Sequence, residues 1–421
     1  MADVQPLRAL RYDLRAVGDL GAVIAPPYDV IDEPMRAELL ARSRLNVVEL
    51  DLPRAELGAD PYSHARGTLE AWRAQGVLVR EAEPAFWALS QEYETPEGDV
   101  AVRQGFFARV RIEDYGPGRI RPHERTQPGP KEDRLRLTRA TRTNLSPIFS
   151  LVDDPESGAW AALEPATREE SPFAAGTDAD GTRWRLWRVT DSEAIAAAQR
   201  ALAPAELLIA DGHHRYETAR VYAEEVAGDG GHRYVLMFLC ALSDPGLLVF
   251  PTHRLLDGLD DGRRAALREA VERDFRVEPV VADELAPPPD APGVVLGYLD
   301  AFHRRPLRLT LKDQAIADRI LAGRSEAYRR LDTAVLEALL LRGALGMSEE
   351  DVARQRGLAY AKSLADAREA VTNGRADAAF LMRATPVERV REIAAAGESM
   401  PPKSTYFYPK VPTGLVFNPL D

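Results

Sequence analysis

Apolar and polar positions along this chain follow two different periods, which predict strands and helices in an irregular order. Between residues 85 and 112, apolar side chains alternate with polar ones on either side of Pro96 and Gly98, a pattern typical of a β-hairpin. Between residues 205 and 226, a short apolar run passes directly into apolar positions three or four residues apart, which predicts a strand followed by a helix. Because strands and helices do not alternate regularly, we expect an α+β fold with mixed sheets rather than a doubly wound one.

The same two periods predict further elements along the chain. Strands or extended segments are expected at residues 22–31, 46–53, 182–189, 232–244, 246–256, 293–300 and 307–313. Helices are expected at residues 62–78 (ending at Gly76), 191–202, 260–274 and 332–345, and a strand-plus-helix unit at 378–398.

The length of 421 residues predicts more than one domain, since single hydrophobic cores stop growing at about 250–300 residues. Residues 156–182 are rich in Pro, Glu, Gly and Ala, which indicates a linker or an excursion. We therefore expect an N-terminal α/β segment at 1–155, a strand-to-helix core at 183–256 and a C-terminal α/β domain at 257–421.

Charge and composition narrow the functional classes. The formal net charge of −12 and the isoelectric point near 5.3 argue against a nucleic-acid partner, which would need a basic face. No segment supplies the roughly 18 uncharged apolar residues of a membrane helix, so we expect a cytoplasmic protein without a membrane partner. The single cysteine, Cys240, lies in an apolar run, so an internal disulfide is excluded and a core position is expected.

An unusual cluster stands at the start of the helix predicted after residue 210. Asp211 is expected to cap this helix, and Gly212 to make the tight turn before it. His213, His214 and Arg215 then fall in the first helical turn, where backbone N–H groups and the helix dipole favour anions. Cations at a helix start oppose the dipole, and an anionic ligand would resolve that conflict. The alternative is a capped surface helix with solvated histidines.

A second cluster occupies residues 120–149 and contains few apolar side chains. Its charged and polar members include His123, Glu124, Arg125, Lys131, Arg134, Arg139, Arg142 and Asn144. A zinc motif of the His-Glu-x-x-His type is excluded, because Gln127 stands where the second histidine would be. A carboxylate among cations has the parts for phosphoryl transfer: Glu124 or His123 to act on a hydroxyl, and Lys131, Arg134 and Asn144 to hold a nucleotide. The alternative is a solvated basic loop and helix.

A third cluster occupies residues 397–414 and imitates a phosphate-binding loop. Residues 397–404 nearly fit G-x-x-x-x-G-K-[ST], but Pro402 replaces the second glycine and has no N–H to offer a phosphate. Lys403, one of only five lysines, could still close over a phosphate together with Ser404 and Thr405. The alternative is a proline-rich tail that packs its aromatic side chains onto the rest of the protein.

Several of these motifs together resemble a bacterial and archaeal family known only as a domain of unknown function. The segments that carry the resemblance are APPYDVI (25–31), PHERT (122–126), the K-x-D-R run beginning at Lys131, N-x-SPIF (144–149), ADGHHRYETA (210–219) and MPPKSTYFYPK (400–410). They span most of the chain.

The DGHHR segment is also similar to the helix-start motif of the ParB and sulfiredoxin-like superfamily. Members of that superfamily hold nucleotide phosphates at this turn, and some are kinases of free serine. The resemblance implies a ParB/sulfiredoxin-like nucleotide-binding core. In it, Gly212, His213, His214 and Arg215 contact phosphate, and Asp211 lies near the metal or the acceptor hydroxyl.

These observations lead to one main functional hypothesis. We expect a phosphotransferase that uses ATP or ADP, with Mg²⁺ to neutralise phosphate charge, and a small hydroxyl compound as acceptor, with L-serine preferred. In the serine kinases a glutamate upstream of the motif acts as base, and Glu124 is the candidate here, at a much larger separation from Asp211. Two alternatives stay open: a nucleotide-binding regulatory or scaffold protein with little turnover, and a hydrolase of a phosphorylated small molecule.

Overall fold

The computed structural model describes residues 2–55, 58–96 and 98–421, which form two compact units. The first unit consists of the described residues among 1–122, 126–248 and 409–421. The second consists of residues 123–125 and 249–408.

Strands and helices are distributed over the whole chain. The strands are β1 (Val4–Gln5), β2 (Leu10–Tyr12), β3 (Leu78–Arg80), β4 (Phe86–Glu94), β5 (Val100–Arg111), β6 (Ile120–Arg121), β7 (Thr143–Asn144), β8 (Ile148–Val152), β9 (Ala174–Thr177), β10 (Arg183–Val189), β11 (Leu207–Asp211), β12 (Tyr234–Ala241), β13 (Leu248–Phe250), β14 (His253–Leu256), β15 (Phe275–Pro279), β16 (Val295–Asp300), β17 (Leu307–Leu311), β18 (Leu358–Ala361), β19 (Ala378–Leu381), β20 (Tyr406–Tyr408) and β21 (Asn418–Pro419). The α-helices are α1 (Leu14–Val17), α2 (Glu33–Arg42), α3 (Val48–Asp51), α4 (Pro61–Ala74), α5 (Pro128–Thr141), α6 (Gly158–Glu169), α7 (Ser192–Leu202), α8 (His213–Val226), α9 (Asp261–Asp274), α10 (Gln314–Ile320), α11 (Glu326–Arg329), α12 (Asp332–Leu336), α13 (Glu349–Ala353), α14 (Leu364–Thr372) and α15 (Val387–Ala395).

A mixed sheet forms the centre of the first unit. Within the described ranges it has nine strands, in the order β6-β11-β8-β12-β5-β4-β10-β9, with β1 paired to β5. The pairs β6–β11 and β8–β12 are parallel, whereas β8–β11, β5–β12 and β4–β5 are antiparallel. The α+β class with mixed sheets is thereby confirmed, and the hairpin predicted at residues 85–112 is β4–β5. The sheet takes strands from both predicted segments, 1–155 and 183–256, so these segments share one core.

The predicted linker at residues 156–182 is wrong, because this stretch is part of the first unit. It contains α6 and the strand β9, which pairs with β10 at the end of the sheet. Ala159 and Leu163 of α6 are buried in the core. The composition resembled a linker because, apart from Trp160, the remaining positions of this helix are polar, small or proline.

The strand predicted at residues 46–53 is also wrong, since the segment forms the short helix α3. The Asn46 side chain accepts a hydrogen bond from the backbone N–H of Val48 and donates to the carbonyl oxygens of Ala22 and Ile24, at 2.9–3.0 Å. These hydrogen bonds to residues distant in sequence outweigh the preference of Val47 and Val48 for a strand.

The second unit is organised around an antiparallel sheet with the strand order β15-β17-β16-β19-β14-β18. Its helix α9 begins after Asp260, whose side chain accepts from the Arg263 N–H, close to the predicted start. The helix predicted at residues 332–345 is present, but it changes from α-helical to π-helical at Glu337. Among the described residues, no helix of either unit has both the length and the apolar composition that a membrane crossing requires.

The C-terminal segment 409–421 is an integral part of the first unit. Thr413 forms a β-bridge with Ala25, Phe417 forms one with Leu10, and β21 pairs with β7. Residues 411–420 are buried. This stretch, expected as a polar and aromatic tail, is therefore core structure that fixes the position of the residues before it.

We predict that Gly105→Ala destabilises the first unit, because β5 and β12 approach each other closely at this position. An added Cβ would lie 2.5 Å from Cζ of Phe238 and closer still to the carbonyl oxygen of Leu239. Overpacking of this kind lowers the free energy of unfolding by about 1–3 kcal/mol. Urea unfolding followed by circular dichroism measures the change. Gly67→Ala is the control, since Gly67 lies in α4 with no atom within 4 Å of its added Cβ. Equal midpoints for the two variants would contradict the prediction.

Candidate functional site

The centre of the candidate site is the junction between β11 and α8. The apolar residues 207–210 bury β11 in the sheet, and α8 begins at His213. Gly212 is the N-cap residue and adopts φ +98°, a left-handed conformation that favours glycine. The prediction that Asp211 caps the helix is wrong, since no side chain caps α8 among the described residues. The Asp211 carboxylate instead forms ion pairs with side chains.

Asp211 forms ion pairs with two cations. Its Oδ2 lies 2.5 Å from Nη2 of Arg215, one turn further along α8, and its Oδ1 lies 3.0 Å from Nζ of Lys410. All three side chains are 10–15% exposed. Burial disfavours the ionised form of Asp211, but the charges of Lys410 and Arg215 outweigh it and hold the pKa of this carboxyl well below its usual range. Asp211 is therefore ionised.

Arg215 has protein partners on two sides. Besides Asp211, its guanidinium donates a hydrogen bond to the carbonyl oxygen of Pro147. The cation at the start of α8 is thus stabilised within the protein, and an anionic ligand is not required to explain it. The expectation that only an anionic ligand would compensate this cation is therefore wrong, although Arg215 lies at the start of the helix as expected.

Lys410 is a site residue that the sequence reasoning missed. Two buried polar side chains hold the backbone around it: Arg103 donates to the carbonyl oxygen of Pro409, and Gln91 donates to that of Lys410 at 3.0 Å. Arg103 also donates to Gln91 and stacks on the Phe149 ring at 4.6 Å. The available signal was the rarity of lysine, but the contact with Asp211 spans 199 residues and is invisible to local patterns.

Arg134 and Asn144, both predicted to bind a nucleotide, line one small cavity of about 40 Å³ with Arg215. The Arg134 guanidinium is buried, donates to Asp51 at 2.7 and 3.1 Å, and stacks over the Tyr28 ring at 4.2 Å. Burial is the main cause that raises the pKa of Tyr28 to about 12, so this phenol stays neutral.

Asn144 and the two histidines of the motif also have structural roles. The Asn144 side-chain oxygen accepts from the Leu236 N–H at 3.1 Å and from the Asn418 amide at 2.9 Å. His214 accepts a hydrogen bond at Nε2 from the backbone N–H of Gln127 at 2.9 Å, so its neutral form carries the proton on Nδ1. His213 is buried. Lys131 lies in the first turn of α5 and is half-buried.

The remaining predicted residues lie in the second unit. His123 is buried and lies 2.9 Å from Oγ1 of Thr405, so the clusters predicted at residues 120–149 and 397–414 meet at this contact. Nε2 of His123 lies 3.9 Å from Oε1 of Glu124. Ser404 is buried and lies 2.9 Å from the Thr333 hydroxyl. Lys403 is exposed and adopts φ +55°, a strained conformation for a residue other than glycine.

A buried arginine near Glu124 was not recognised from the sequence. Arg254 of β14 donates to the carbonyl oxygens of Thr252 at 2.5 Å and Pro402 at 3.1 Å. Burial lowers the pKa of Arg254, and the negative charges of Glu337 and Glu124 partly oppose that effect. The second unit thus contains its own cluster of ionisable groups around Glu124.

The predicted site residues therefore divide between the two units. The first unit contains Lys131, Arg134, Asn144, Asp211, Gly212, His213, His214 and Arg215, and the second contains His123, Glu124, Lys403, Ser404 and Thr405. Their roles in phosphate binding and catalysis stay predictions.

The described residues offer no group of three or more His, Cys, Asp or Glu side chains suited to a metal ion. Both oxygens of Asp211 already contact cations. The β11–α8 turn therefore does not fit a metal centre built from protein ligands alone. The expected Mg²⁺ would be held mainly by the phosphate oxygens of a nucleotide, as is common for this ion.

We predict that Lys410→Met lowers the free energy of unfolding at pH 7 by about 1.5–3 kcal/mol, because Asp211 loses a charged partner in a buried setting. The depressed pKa of Asp211 contributes stability above its unfolded value of about 3.9, and this contribution is lost as pH falls through the folded pKa. The stability gap between parent and variant should therefore narrow below about pH 4. Denaturant titrations at several pH values measure it.

The matched control for that prediction is the double variant Lys410→Met/Asp211→Asn. Because the two side chains interact directly, the double variant should lose less stability than the sum of the losses in the two single variants. Additive losses in the double variant, or a gap that does not change with pH, would contradict the ion-pair interpretation.

Similar solved structures include a conserved hypothetical protein from Pyrococcus furiosus (15% identity, TM-score 0.37, covering 70% of this chain and 90% of that chain). A free serine kinase in complex with AMP is similar at 14% identity and TM-score 0.37, over 70% of this chain and 88% of that chain. SbnI with a C-terminal truncation from Staphylococcus aureus is similar at 10% identity and TM-score 0.38, over 74% and 86%.

TM-scores this low do not support a conclusion about activity. No curated protein matches the chain significantly. A family model described as "Protein of unknown function (DUF1015)" matches residues 4–334, which confirms the resemblance to a family of unknown function. The chain belongs to this DUF1015 family.

Proposed function

We propose that this protein is a phosphotransferase that binds a nucleotide at the β11–α8 turn and transfers a phosphate to a small hydroxyl compound. ATP or ADP is the proposed donor, and L-serine is the first acceptor to test. The observation that carries the proposal is the convergence of Asp211, Arg215 and Lys410 at a helix start that has no side-chain cap.

Electrostatics at this turn support the binding of an anion. Arg215 and Lys410 bring two positive charges to one carboxylate, that of Asp211, which leaves one positive charge in excess. The dipole of α8 adds to this potential at its N-terminus. Both cations are held in place before a ligand arrives, so little reorganisation opposes binding.

Asp211 is proposed to position the two cations and not to accept a proton. A carboxylate whose pKa is held far below its usual range is a weak base near neutral pH. The proposed base is Glu124, the first carboxylate along the cationic segment at residues 120–149. In the transfer, the acceptor hydroxyl oxygen bonds to phosphorus, the bond to the nucleotide breaks, and the hydroxyl proton passes to the base.

The direct test is to incubate the full chain with Mg²⁺, ATP or ADP, and a panel of hydroxyl compounds that includes L-serine, and to identify products by ³¹P NMR and mass spectrometry. A phosphorylated acceptor that forms only with enzyme supports the proposal. Release of inorganic phosphate without a phosphorylated acceptor would indicate a hydrolase. Absence of both products across the panel would contradict phosphotransfer to these acceptors.

We predict that Arg215→Ala weakens nucleotide binding by roughly 10- to 150-fold, since a charge-assisted contact is worth about 1.5–3 kcal/mol. Titration calorimetry with ATP and ADP measures the change. Arg220→Ala is the matched control, because Arg220 lies further along α8 and pairs with Asp114 at 2.6 Å. Thermal unfolding of both variants checks the fold, and unchanged affinity in folded Arg215→Ala would remove this turn from the proposal.

We predict that Glu124→Gln lowers the rate of phosphate transfer by about 10²–10⁴ while nucleotide affinity stays near the parental value, because the amide keeps the shape and cannot accept the proton. Initial rates at saturating donor and acceptor measure the effect. Glu350→Gln serves as control, since Glu350 is an exposed acid of α13 that pairs with Arg354. A parental rate in Glu124→Gln would mean that Glu124 is not the base and that another group accepts the proton.

A second candidate function is a nucleotide-binding regulatory protein with little turnover. It is favoured by one observation: the carboxylate at the β11–α8 turn is ionised and already occupied by two cations. Calorimetric binding of ATP or ADP without any phosphorylated product would favour this candidate over the phosphotransferase.

A further inference from the structure

A groove in the second unit is lined by residues that take no part in the proposed phosphotransferase site. It lies along α9 and is bordered by strands β15 to β17 and by the loop at residues 301–306, with a volume of about 550 Å³. Its apolar lining consists of Leu259, Leu267, Val271, Val277, Tyr298, Phe302 and Leu307.

Size and lining favour a small molecule as the occupant. Small-molecule cavities usually measure about 300–1,000 Å³ and are mostly apolar with a few polar groups. The groove falls within this range, whereas the cavity beside Arg383 in the same unit measures about 270 Å³. Phe302 is 45% exposed and Val277 is 37% exposed, so apolar surface here is left in water.

The charges at the groove point to an anionic group on the occupant. Two acids there already have partners: Asp261 pairs with Arg264, and Asp300 lies 3.1 Å from Nδ1 of His303. The lining also includes Arg268, Arg305 and Glu272. Among the described residues, none of these three side chains has an ion pair or hydrogen bond. The lining as a whole holds three arginines and three acids, but its side chains without partners are two guanidinium groups and one carboxylate.

The aromatic ring of Phe302 gives this groove a flat apolar surface. This ring lies 4.0 Å from the guanidinium carbon of Arg264, a cation–π contact that holds the ring at the mouth of the groove. A flat apolar body could pack against the ring, Val271 and Leu267, while its anionic group reaches Arg268 or Arg305.

We propose that this groove, lined by α9, β15–β17 and the loop at 301–306, binds a small molecule with a flat apolar body and one anionic group. This goes beyond the proposed phosphotransfer and does not depend on it.

The test uses two dyes with the full chain. The anionic dye is 8-anilinonaphthalene-1-sulfonate, and the neutral dye of similar body is N-phenyl-1-naphthylamine; fluorescence titration gives the Kd of each. Phe302→Ala should weaken both dyes by about tenfold. The double variant Arg268→Gln/Arg305→Gln should weaken the anionic dye by about tenfold, as for one charge-assisted contact, and leave the neutral dye unchanged.

Matched controls come from α10 of the same unit, where Arg319→Gln and Ile320→Ala alter a cation and a 50% exposed apolar side chain. These controls should bind both dyes as the parent does, and circular dichroism should show all variants folded. Equal binding of the anionic dye by every variant would overturn the proposal, as would equal losses of both dyes in the arginine variant. A concentration-dependent dimer that Phe302→Glu dissociates would also overturn it, since a second copy would then cover the groove.

Discussion

The ion pairs of Asp211 are the constraint on which the rest of the first unit depends. A buried carboxylate is costly unless cations and hydrogen bonds compensate it, and here the compensating Lys410 lies 199 residues away along the chain. The C-terminal segment must therefore return to the sheet for the turn to be stable. Burial of residues 411–420 and the bridges at Thr413 and Phe417 offset the entropy that this return costs.

A second buried charge supports the first. Arg103 of β5 is fully buried, and it is satisfied by the carbonyl oxygen of Pro409, by the Gln91 side chain and by the faces of Phe149 and Phe238 at 4.6 and 5.1 Å. A polar network inside a sheet specifies one arrangement, because each partner that moves leaves an unsatisfied charge behind. The backbone before Lys410 is consequently held from inside the core, at a position from which the ammonium reaches Asp211.

Local patterns predicted those parts of the fold that local forces determine. The hairpin β4–β5 and the junction of β11 with α8 follow from alternation, helical spacing and a glycine at φ +98°. The predictions failed where contacts between residues distant in sequence determine the structure. Asn46 holds α3 through hydrogen bonds to two carbonyl oxygens, and Asp211 pairs with Lys410 instead of capping α8. The same limit explains why Lys410 and Arg254 were missed, since nothing beside them in the sequence indicates their partners.

The charges at the β11–α8 turn favour the binding of an anion but do not favour the removal of a proton. Two cations and a helix dipole favour an anion, and the ionised Asp211 carboxylate helps to position both cations. The same ionisation makes Asp211 a poor proton acceptor. A reaction that removes a proton from an acceptor must therefore draw its base from another part of the chain. In the proposed phosphotransferase, affinity for an anion and catalytic rate would thus have different physical origins, and a family member could keep the first while losing the second.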